Sequence, residues 1–413
     1  MPIRLSAAEL RGIGRLGVDA VQEVASLVEA VHGGIQRVAT LRALGASGRP
    51  DPIARLAYAG VRGISGAVGW VLDRALPSAL SGATTASSSA QREALLAALN
   101  GVLGDHLQRS GNPLALPMRI QCRGRVLPLE DSAALGDALA TAGPRIALLI
   151  HGLCMAPVHW NRPAHGRDHE APVSGRAGAA LDLPDLLAAQ GYEVLQLHYN
   201  SGLHIAENGA RLATSLQRVL DALPIPADSL VLVGHSMGGL VARAACHSAA
   251  RRGLAWIDQP LTLISLGTPH HGAPLERAGH GVERLLASLP LVTPFARLAR
   301  LRSAGITDLR HGVVDAAADP PAAFPATVAM HALAATLSKN AGGVRPRSDG
   351  LVPVASALGR HRHPARDLGV ESARQALVPD CGHIALLQHP QMLRTVGGWL
   401  TGGGPPKRPP QRG

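Results

Sequence analysis

Residues 229–239 read SLVLVGHSMGG, and this stretch decides which fold the chain is predicted to have. Leucine and valine fill positions 230–233, which is typical of a buried strand. The next five residues, 234–238, match the pattern G-x-S-x-G, and a helical stretch follows up to Arg251. A strand, a sharp turn and a helix in this order present a serine hydroxyl above the edge of a sheet. Ser236 is therefore the candidate nucleophile; the alternative is a tight glycine-rich turn with a solvated serine.

Short apolar runs alternate with amphipathic helical stretches along most of the chain after residue 115. The other predicted strands are Arg145–Ile150, Tyr192–His198, Leu261–Leu266 and Val328–Leu337, and the helices predicted between them include Leu183–Gln190 and Ile205–Leu223. Continuous apolar strands separated by helices indicate a mostly parallel sheet with helices on both faces. The predicted fold class is therefore α/β.

The early strand Arg145–Ile150 runs into the sequence HGLCM at residues 151–155. An HG pair in this position commonly supplies one backbone N–H of an oxyanion hole, in which two donors stabilise the charge of a tetrahedral intermediate. We assign the two donors to the backbone N–H groups of Leu153 and Met237. The alternative is that the HG pair is only a turn at the end of a strand.

An acid and a base are expected after the serine, in the order Ser, Asp or Glu, His. Asp349 is the preferred acid because it follows the strand predicted at 328–337 and because Gly350 permits a turn there. The preferred base is His383, which belongs to a Gly-His pair that leads into an apolar stretch predicted to be a helix. In such a triad the base takes the serine proton while the carboxylate holds the other ring nitrogen.

Other acids and histidines compete for these two roles. The competing acids are Asp308, Asp315, Asp319, Asp367 and Asp380, and the competing histidines are His270, His271 and His389. The first three acids fall between strands, in or next to a predicted cap. The last acid is only three residues from the preferred base, so a sharp fold would be needed to bring the two side chains together. We therefore favour Asp349 and His383.

Six motifs together resemble those of bacterial esterases and lipases of the α/β-hydrolase superfamily, and most of all the group related to the glycosylphosphatidylinositol inositol-deacylase. They are HGLCM (151–155) with Trp160 downstream, HYNSGLHIAENG (198–209), GHSMGG (234–239), LGTPHHGAPLE (266–276), SDGLVP (348–353) and CGHIALLQHP (381–390). The resemblance covers about residues 145–395. It implies an α/β-hydrolase fold and a triad of Ser236, Asp349 and His383.

The substrate pocket is predicted from the same motifs. The residues expected to contact the substrate are His151, Gly152, Trp160 and His235. The resemblance also implies that the segment GTPHHG, residues 267–272, shapes the pocket behind the nucleophile, whereas a polar turn at a strand end is the alternative. The polar stretch 162–177 looks like an insertion beside this pocket.

Four segments are predicted along the chain. Residues 1–114 form a helical N-terminal segment that packs against the catalytic domain, with contact to a membrane surface as the alternative. Residues 115–400 form the catalytic domain. Within it, a helical cap at about 278–325 covers the site and binds acyl chains with its apolar face. Residues 401–413, rich in Gly and Pro, form a disordered tail.

The amino-acid composition bears on whether the chain binds nucleic acid, a metal, a cofactor or a membrane. The 413 residues carry a formal charge of +11, but the arginines are scattered without interleaved aromatic residues, so nucleic-acid binding is not predicted. Four cysteines without CxxC spacing, and no acidic cluster, give no reason to predict a metal or a cofactor. No signal peptide and no uncharged apolar run of ~18 residues is present, which favours a cytoplasmic protein with at most a peripheral membrane contact.

These features predict hydrolysis of a carboxylic ester, with an ester or lipid as substrate, through an acyl-enzyme on Ser236. Two other functions stay open. The same triad could transfer an acyl group to an alcohol other than water. The chain could also be a non-catalytic scaffold whose N-terminal helices bind a membrane or a partner.

Overall fold

A computed structural model describes residues 90–161, 182–272, 303–312, 324–339 and 348–402, together with Arg11, Gly12, Arg15 and Val314. The chain divides into two compact units. The larger unit contains residues 90–106 and 116–413, and the smaller contains residues 1–89 and 107–115. In the described part of the smaller unit, the side-chain amide of Asn112 donates to the carbonyl of Gly12 at 3.0 Å. The larger unit thus takes in residues 90–106, which precede the domain boundary predicted at residue 115.

One eight-stranded sheet forms the centre of the larger unit. Its strands are β1 (Arg119–Cys122), β2 (Arg125–Val126), β3 (Arg145–Ile150), β4 (Glu193–His198), β5 (Ser229–His235), β6 (Leu261–Leu266), β7 (Val328–Ala335) and β8 (Gln375–Val378). Their spatial order is β2-β1-β4-β3-β5-β6-β7-β8. Strands β3 to β8 run parallel, and β1 pairs antiparallel with both β2 and β4. The predicted, mostly parallel sheet is confirmed.

Helices connect the strands. They are α1 (Ala90–Arg109), α2 (Ser132–Leu139), α3 (Leu183–Ala189), α4 (Ile205–Asp221), α5 (Met237–Arg252), α6 (Ala304–His311), α7 (Val354–Ala357) and α8 (Pro390–Gly402). Helix α5 packs on α4 and on strands β3, β5 and β6, whereas α3 packs on β4 and on α8. The strands and helices predicted between residues 183 and 337 are present in the described segments, with ends that differ by at most two residues.

The pair α4 and α5 shows how the sequence determines the packing. The buried residues Ile205, Leu212, Leu216 and Val219 of α4 recur at steps of three, four and seven, which places them on one face. Helix α5 is buried along most of its length because it lies between α4 and the sheet. It ends at Gly253, whose left-handed backbone, with φ 62°, is the usual glycine conformation after a helix.

The carboxyl ends of the central strands lie side by side. Ile150 of β3 pairs with Gly234 of β5, the next residue His235 pairs with Leu266 of β6, and Leu266 pairs with Leu333 of β7. In open α/β sheets, ligands bind beyond the carboxyl ends of the strands. The loops that follow β3, β5 and β6 therefore meet at one edge of the sheet, and they carry three of the predicted motifs.

Helix α1 packs against the loops that follow β3 and β4. A Cβ on Gly101 would lie 2.9 Å from both the backbone nitrogen and the Cα of Cys154, so a side chain at this position would require a shift. The side-chain amide of Asn200 donates to the carbonyl of Gly104 at 2.9 Å. Helix α1 therefore supports the loop that carries the predicted HG pair.

Several predictions fall on residues outside the described ranges. They are the helices predicted before residue 90, the insertion at 162–177 and the tail from residue 403. Of the cap predicted at 278–325, the structure describes α6 with Ser303 and Gly312, residue Val314 and residues 324–325. The Ser303 hydroxyl donates to the carbonyl of Gly101 at 2.8 Å. No helix in the described segments is long and apolar enough to cross a membrane.

Candidate active site

Ser236 occupies the sharp turn between β5 and α5. Its backbone has φ 53° and ψ −123°, a combination that residues other than glycine rarely adopt. The turn is held because the Ser236 N–H donates to the carbonyl of Leu266 at 2.9 Å. It also needs glycine at position 238, where a Cβ would collide with the carbonyl of Ile150. The structure thus places Ser236 on the strained turn that the sequence pattern predicts.

Asp349 and His383 form a buried pair. His383 Nδ1 lies 2.7 Å from Asp349 Oδ2, and the backbone N–H of His383 donates to the carbonyl of Asp349 at 3.2 Å. The other carboxylate oxygen, Oδ1, accepts the backbone N–H groups of Leu351 and Val352 at 2.9 and 2.8 Å. Gly350, with φ 99°, makes the predicted turn between them. Both partners are therefore fixed by backbone as well as side-chain contacts.

The carboxyl group of Asp349 stays ionised. Burial alone would raise its pKa, but the charge of His383, the hydrogen bond from that ring and the N–H groups of Val352 and Leu351 together lower the pKa below its ordinary value. An ionised carboxylate only accepts hydrogen bonds, so Nδ1 of His383 carries the proton. In a ring that carries this one proton, Nε2 has a free lone pair and can act as a base.

The end of β6 contacts all three residues of the predicted triad. The Leu266 carbonyl accepts the N–H of Ser236, and a Cβ on Gly267 would lie 3.3 Å from His383 Nδ1 and 3.5 Å from Asp349 Oδ2. Gly267 has φ 58°, a left-handed conformation that glycine adopts without strain. Gly267 belongs to the GTPHHG segment that the resemblance places behind the nucleophile, but its position beside His383 and Asp349 is not predicted from the sequence. The three predicted residues are thus brought to one edge of the sheet.

The loop after β3 lies against Ser236. A Cβ on Gly152 would be 3.1 Å from the Cβ of Ser236. The backbone N–H groups of Leu153 and Met237 donate to no protein acceptor within the described residues. For Met237 this follows from its position at the first turn of α5, where N–H groups have no partner in the helix. One unused donor thus follows Gly152, which contacts the serine, and the other follows the serine itself; their role as an oxyanion hole stays a prediction.

His151 is a structural part of this loop. Its ring stacks on Tyr199 with a centroid separation of 4.4 Å, and the Tyr199 hydroxyl donates to the His151 carbonyl at 2.8 Å. Burial lowers the pKa of His151 well below its usual value, so the ring is neutral. Its Nδ1 donates to the carbonyl of Gly152 at 2.9 Å. The ring thereby stabilises the loop, while a contact between His151 or Gly152 and the substrate stays a prediction.

His235 joins the nucleophile turn to the base. Its Nε2 lies 3.2 Å from the carbonyl of His383, and because a carbonyl only accepts, Nε2 carries the proton. Burial, reinforced by the nearby His383, lowers the pKa of His235 to about 3. The ring of Trp160 lies 6.5 Å from that of His235. Both rings are buried, so their predicted contact with the substrate stays a prediction.

Two competing acids have other partners. Asp308 accepts the backbone N–H of Ile205 at 2.9 Å and so caps α4. Asp367 accepts two backbone N–H groups in an exposed turn. The structure brings neither of them to His383. Asp315 and Asp319 lie outside the described residues.

The apolar stretch after His383 is not the predicted helix. It forms a single 3₁₀ turn, Ala385–Gln388, and α8 begins only at Pro390. Proline suits the first turn of a helix but keeps the preceding residue extended, and His389 has φ −74° and ψ 126°. The competing His389 accepts the backbone N–H of Gln391 at this boundary.

The cysteines and metal-binding side chains form no further centre in the described part of the chain. No three His, Cys, Asp or Glu side chains come together there as a metal site. The cysteines are buried and free; they are Cys122, Cys154, Cys246 and Cys381. Burial raises the pKa of the Cys122 and Cys246 thiols to about 12, which leaves them protonated and unreactive at neutral pH.

The mostly parallel sheet, with a serine on the strained turn between β5 and α5, has the architecture of the α/β-hydrolase fold. Residues 202–289 match the family model described as the PGAP1-like alpha/beta domain. The matched model describes a domain of the glycosylphosphatidylinositol inositol-deacylase group, the group that the motifs of this chain resemble.

Solved structures match part of the chain at low identity. An esterase from Pyrococcus furiosus is 18% identical, with 63% of this chain and 83% of that chain covered and a TM-score of 0.37. The thioesterase RedJ of the prodiginine pathway in Streptomyces coelicolor is 19% identical, with coverages of 63% and 91% and a TM-score of 0.36. An α/β-hydrolase from a sediment metagenome of the lagoon of Mar Chica, Morocco, is 14% identical, with coverages of 63% and 92% and a TM-score of 0.34. No curated protein matches the chain.

Proposed function

We propose that the chain is a serine hydrolase that cleaves carboxylic esters, such as lipid or other acyl esters, through an acyl-enzyme on Ser236. The observation that carries this proposal is the His383–Asp349 pair, 2.7 Å apart and held against the same strand end as Ser236. A buried imidazole with an ionised carboxylate on Nδ1 is the arrangement that activates a serine hydroxyl.

The proposed reaction begins at the Ser236 hydroxyl. Its Oγ attacks the ester carbonyl while Nε2 of His383 takes the hydroxyl proton. Asp349 keeps the ring in the required tautomer and stabilises the imidazolium that forms. The protonated ring then gives its proton to the leaving alcohol. In the second half of the reaction, the same nitrogen takes a proton from water while the water oxygen attacks the acyl carbon; the bond to Ser236 Oγ then breaks, the ring returns the proton to Oγ, and the acid is released.

The negative charge of the two tetrahedral intermediates falls on the former carbonyl oxygen. In the proposal, the backbone N–H groups of Leu153 and Met237 donate to this oxygen, since neither has another acceptor in the described residues. Loss of one such donor typically costs on the order of 10²-fold in kcat. The donors belong to the main chain, so the proposal depends on loop position and not on side-chain identity.

Ser236→Ala tests the nucleophile. We expect release of p-nitrophenol from p-nitrophenyl acyl esters to fall on the order of 10³-fold or more, and covalent labelling by a fluorophosphonate probe to disappear. The matched control is Ser248→Ala, which changes another buried serine on the adjoining helix α5 and should leave both readouts intact. Unchanged hydrolysis or labelling in Ser236→Ala would refute the proposal.

A panel of acyl esters defines the substrate class. Esters of one alcohol with acyl chains of increasing length, offered in solution and in lipid vesicles, should be hydrolysed with a maximum of kcat/KM at one chain length. If added glycerol diverts the acyl group into a new ester, the chain is an acyltransferase. If no ester is cleaved and the probe does not react, the non-catalytic alternative is correct.

A further inference from the structure

Arg243 is a buried charge that the proposed reaction does not use. It lies on α5, two turns after Ser236, and none of its surface is exposed. No acidic side chain forms an ion pair with it in the described part of the chain, and its Nε and Nη2 atoms have no hydrogen-bond partner there. Burial lowers its pKa to about 10, so it still carries its charge at neutral pH. A buried charge without an acidic partner is costly. The described contacts of this guanidinium are the Phe324 ring, 5.5 Å from its central carbon, and His270.

Arg243 starts a chain of hydrogen bonds whose direction is fixed. Its Nη1 lies 3.4 Å from both Nδ1 and the carbonyl of His270. His270 Nε2 lies 3.1 Å from Ser265 Oγ, and that hydroxyl donates to the carbonyl of His331 at 3.2 Å. Arginine can only donate and a carbonyl can only accept, so His270 must accept at Nδ1 and donate from Nε2. Burial keeps His270 neutral by lowering its pKa well below the usual value.

This chain of hydrogen bonds joins α5 to β6, next to its carboxyl end, and to the middle of β7. Ser265 comes directly before Leu266, and His270 lies three residues after Gly267, so the hydrogen bonds enclose the segment that touches the predicted triad. The outer side of the same loop is held by Ser356, which accepts the N–H of His271 and donates to the carbonyl of Gly272, both at 3.1 Å. The loop is therefore fixed from the core by Arg243 and from α7 by Ser356.

We propose that Arg243, His270 and Ser265 are positioning residues that hold Leu266 and Gly267 against the reacting side chains. Gly267 forms a wall beside His383 and Asp349, and Leu266 holds the backbone of Ser236. A shift of this strand end would change the separation of nucleophile and base, and errors of about 1 Å can cost on the order of 10²-fold in rate. This inference rests on the proposed function, and it gives the GTPHHG segment a role behind the nucleophile.

Arg243→Met distinguishes an effect on the geometry of the site, measured by kcat, from an effect on stability, measured by Tm. Methionine keeps much of the side-chain volume and removes the charge, so we expect an unchanged or higher Tm. We expect kcat for p-nitrophenyl esters to fall about tenfold or more, with KM within about twofold of wild type. The matched control is Arg252→Met, an exposed arginine on the same helix, which should change neither constant.

Ser265→Ala is a smaller change than Arg243→Met. It removes only the hydroxyl that links His270 to β7, and it should lower kcat about three- to tenfold while the protein stays folded. If kcat is unchanged in both variants, the inference is wrong. If kcat falls only in proportion to the unfolded fraction, the network is merely structural and the inference is again wrong.

Proton NMR gives a readout that needs no turnover. The Nδ1–H of His383, hydrogen-bonded to a buried carboxylate, should give a downfield signal that is absent from His383→Asn. In Arg243→Met we expect this signal to shift and to exchange faster with water, whereas in Arg252→Met it should match wild type. An unchanged signal in Arg243→Met overturns the positioning role. A wild type that hydrolyses no ester but shows this response would refute the proposed function alone.

Discussion

The carbonyl oxygen of Leu266 accepts the backbone N–H of Ser236 at 2.9 Å, so the end of β6 fixes the turn that starts on β5. The next residue, Gly267, packs against His383 and Asp349. One strand end therefore touches all three members of the proposed triad, although they come from three distant parts of the chain. The geometry of the site should respond to small changes at this point.

A methyl group on Gly267 should impair the site more than the fold. In Gly267→Ala, the new Cβ would lie 3.3 Å from Cε1 and Nδ1 of His383, and the residue would keep a left-handed backbone with φ 58°. We expect kcat for p-nitrophenyl esters to fall about tenfold or more, because the imidazole must move. The left-handed conformation itself should cost about 1 kcal/mol in the free energy of unfolding.

The control for this substitution is Gly253→Ala. Gly253 has nearly the same φ, 62°, but a Cβ there would meet nothing within 4 Å. It should lose a similar ~1 kcal/mol in urea unfolding and keep the wild-type kcat. Equal kcat values for the two variants would show that Gly267 does not constrain His383.

Asp349→Asn should abolish most of the activity with little change in shape. Asparagine cannot supply the ionised carboxylate that holds the Nδ1–H of His383, so kcat should fall on the order of 10²- to 10⁴-fold. The matched control is Asp367→Asn, in which an exposed carboxylate also accepts two backbone N–H groups but lies away from the proposed triad. A kcat for Asp349→Asn within tenfold of wild type would remove Asp349 from the proposed mechanism.

Buried neutral histidines should make the protein less stable in acid. Burial lowers the pKa of His198 to about 4, whereas an unfolded histidine titrates near 6.5. Below about pH 6.5 the unfolded chain therefore binds a proton that the folded chain does not, and stability falls as the pH drops toward 4. This one residue should account for roughly 2 kcal/mol of the loss between pH 6.5 and 4.5.

His198→Phe tests whether His198 causes this loss of stability at low pH. Its free energy of unfolding, measured by urea titration, should depend less on pH over that range than that of wild type. The control His363→Gln, at an exposed position, should keep the wild-type slope. An identical slope for His198→Phe and wild type would show that His198 is not buried in its neutral form.

Helix α1 should influence activity through the loop that it supports. In Gly101→Ala the Cβ would collide with the Sγ of Cys154 and lie 2.9 Å from its backbone nitrogen, next to the proposed oxyanion donor Leu153. We expect kcat to fall about tenfold with a loss of stability. Gly136→Ala, in a helix where a Cβ meets nothing within 4 Å, should be up to ~1 kcal/mol more stable and fully active. Activity that is retained in Gly101→Ala would separate α1 from the site.

The central strands and the sharp turn at Ser236 can be predicted because each is specified by residues that are adjacent in the sequence. The run SLVLV followed by GHSMGG fixes β5, the turn and α5 within a few residues. Strand β2 has only two residues and β8 only four, so neither has enough alternation to be recognised. The apolar residues after His383 predict a helix, but Pro390 keeps His389 extended, and the structure has only a 3₁₀ turn there.

Contacts that depend on tertiary structure were not predictable. Nothing in GTPHHG indicates that its first glycine touches His383, since the two are more than a hundred residues apart. The partners of Arg243 are likewise set by the packing of α5 against β6, and an arginine in an apolar helix gives no signal of this. Such relationships appear only when the carboxyl ends of the strands are aligned.

The approach of α1 to Cys154 has a practical consequence for protein engineering. A truncated chain that begins at residue 115, where the domain boundary is predicted, would lack helix α1. The loop after β3 would then lose its contact with Gly101. The Asn200 amide and the Cys154 backbone would then face solvent. Such a fragment should lose activity even if the sheet folds, whereas a version that starts before residue 90 retains this support.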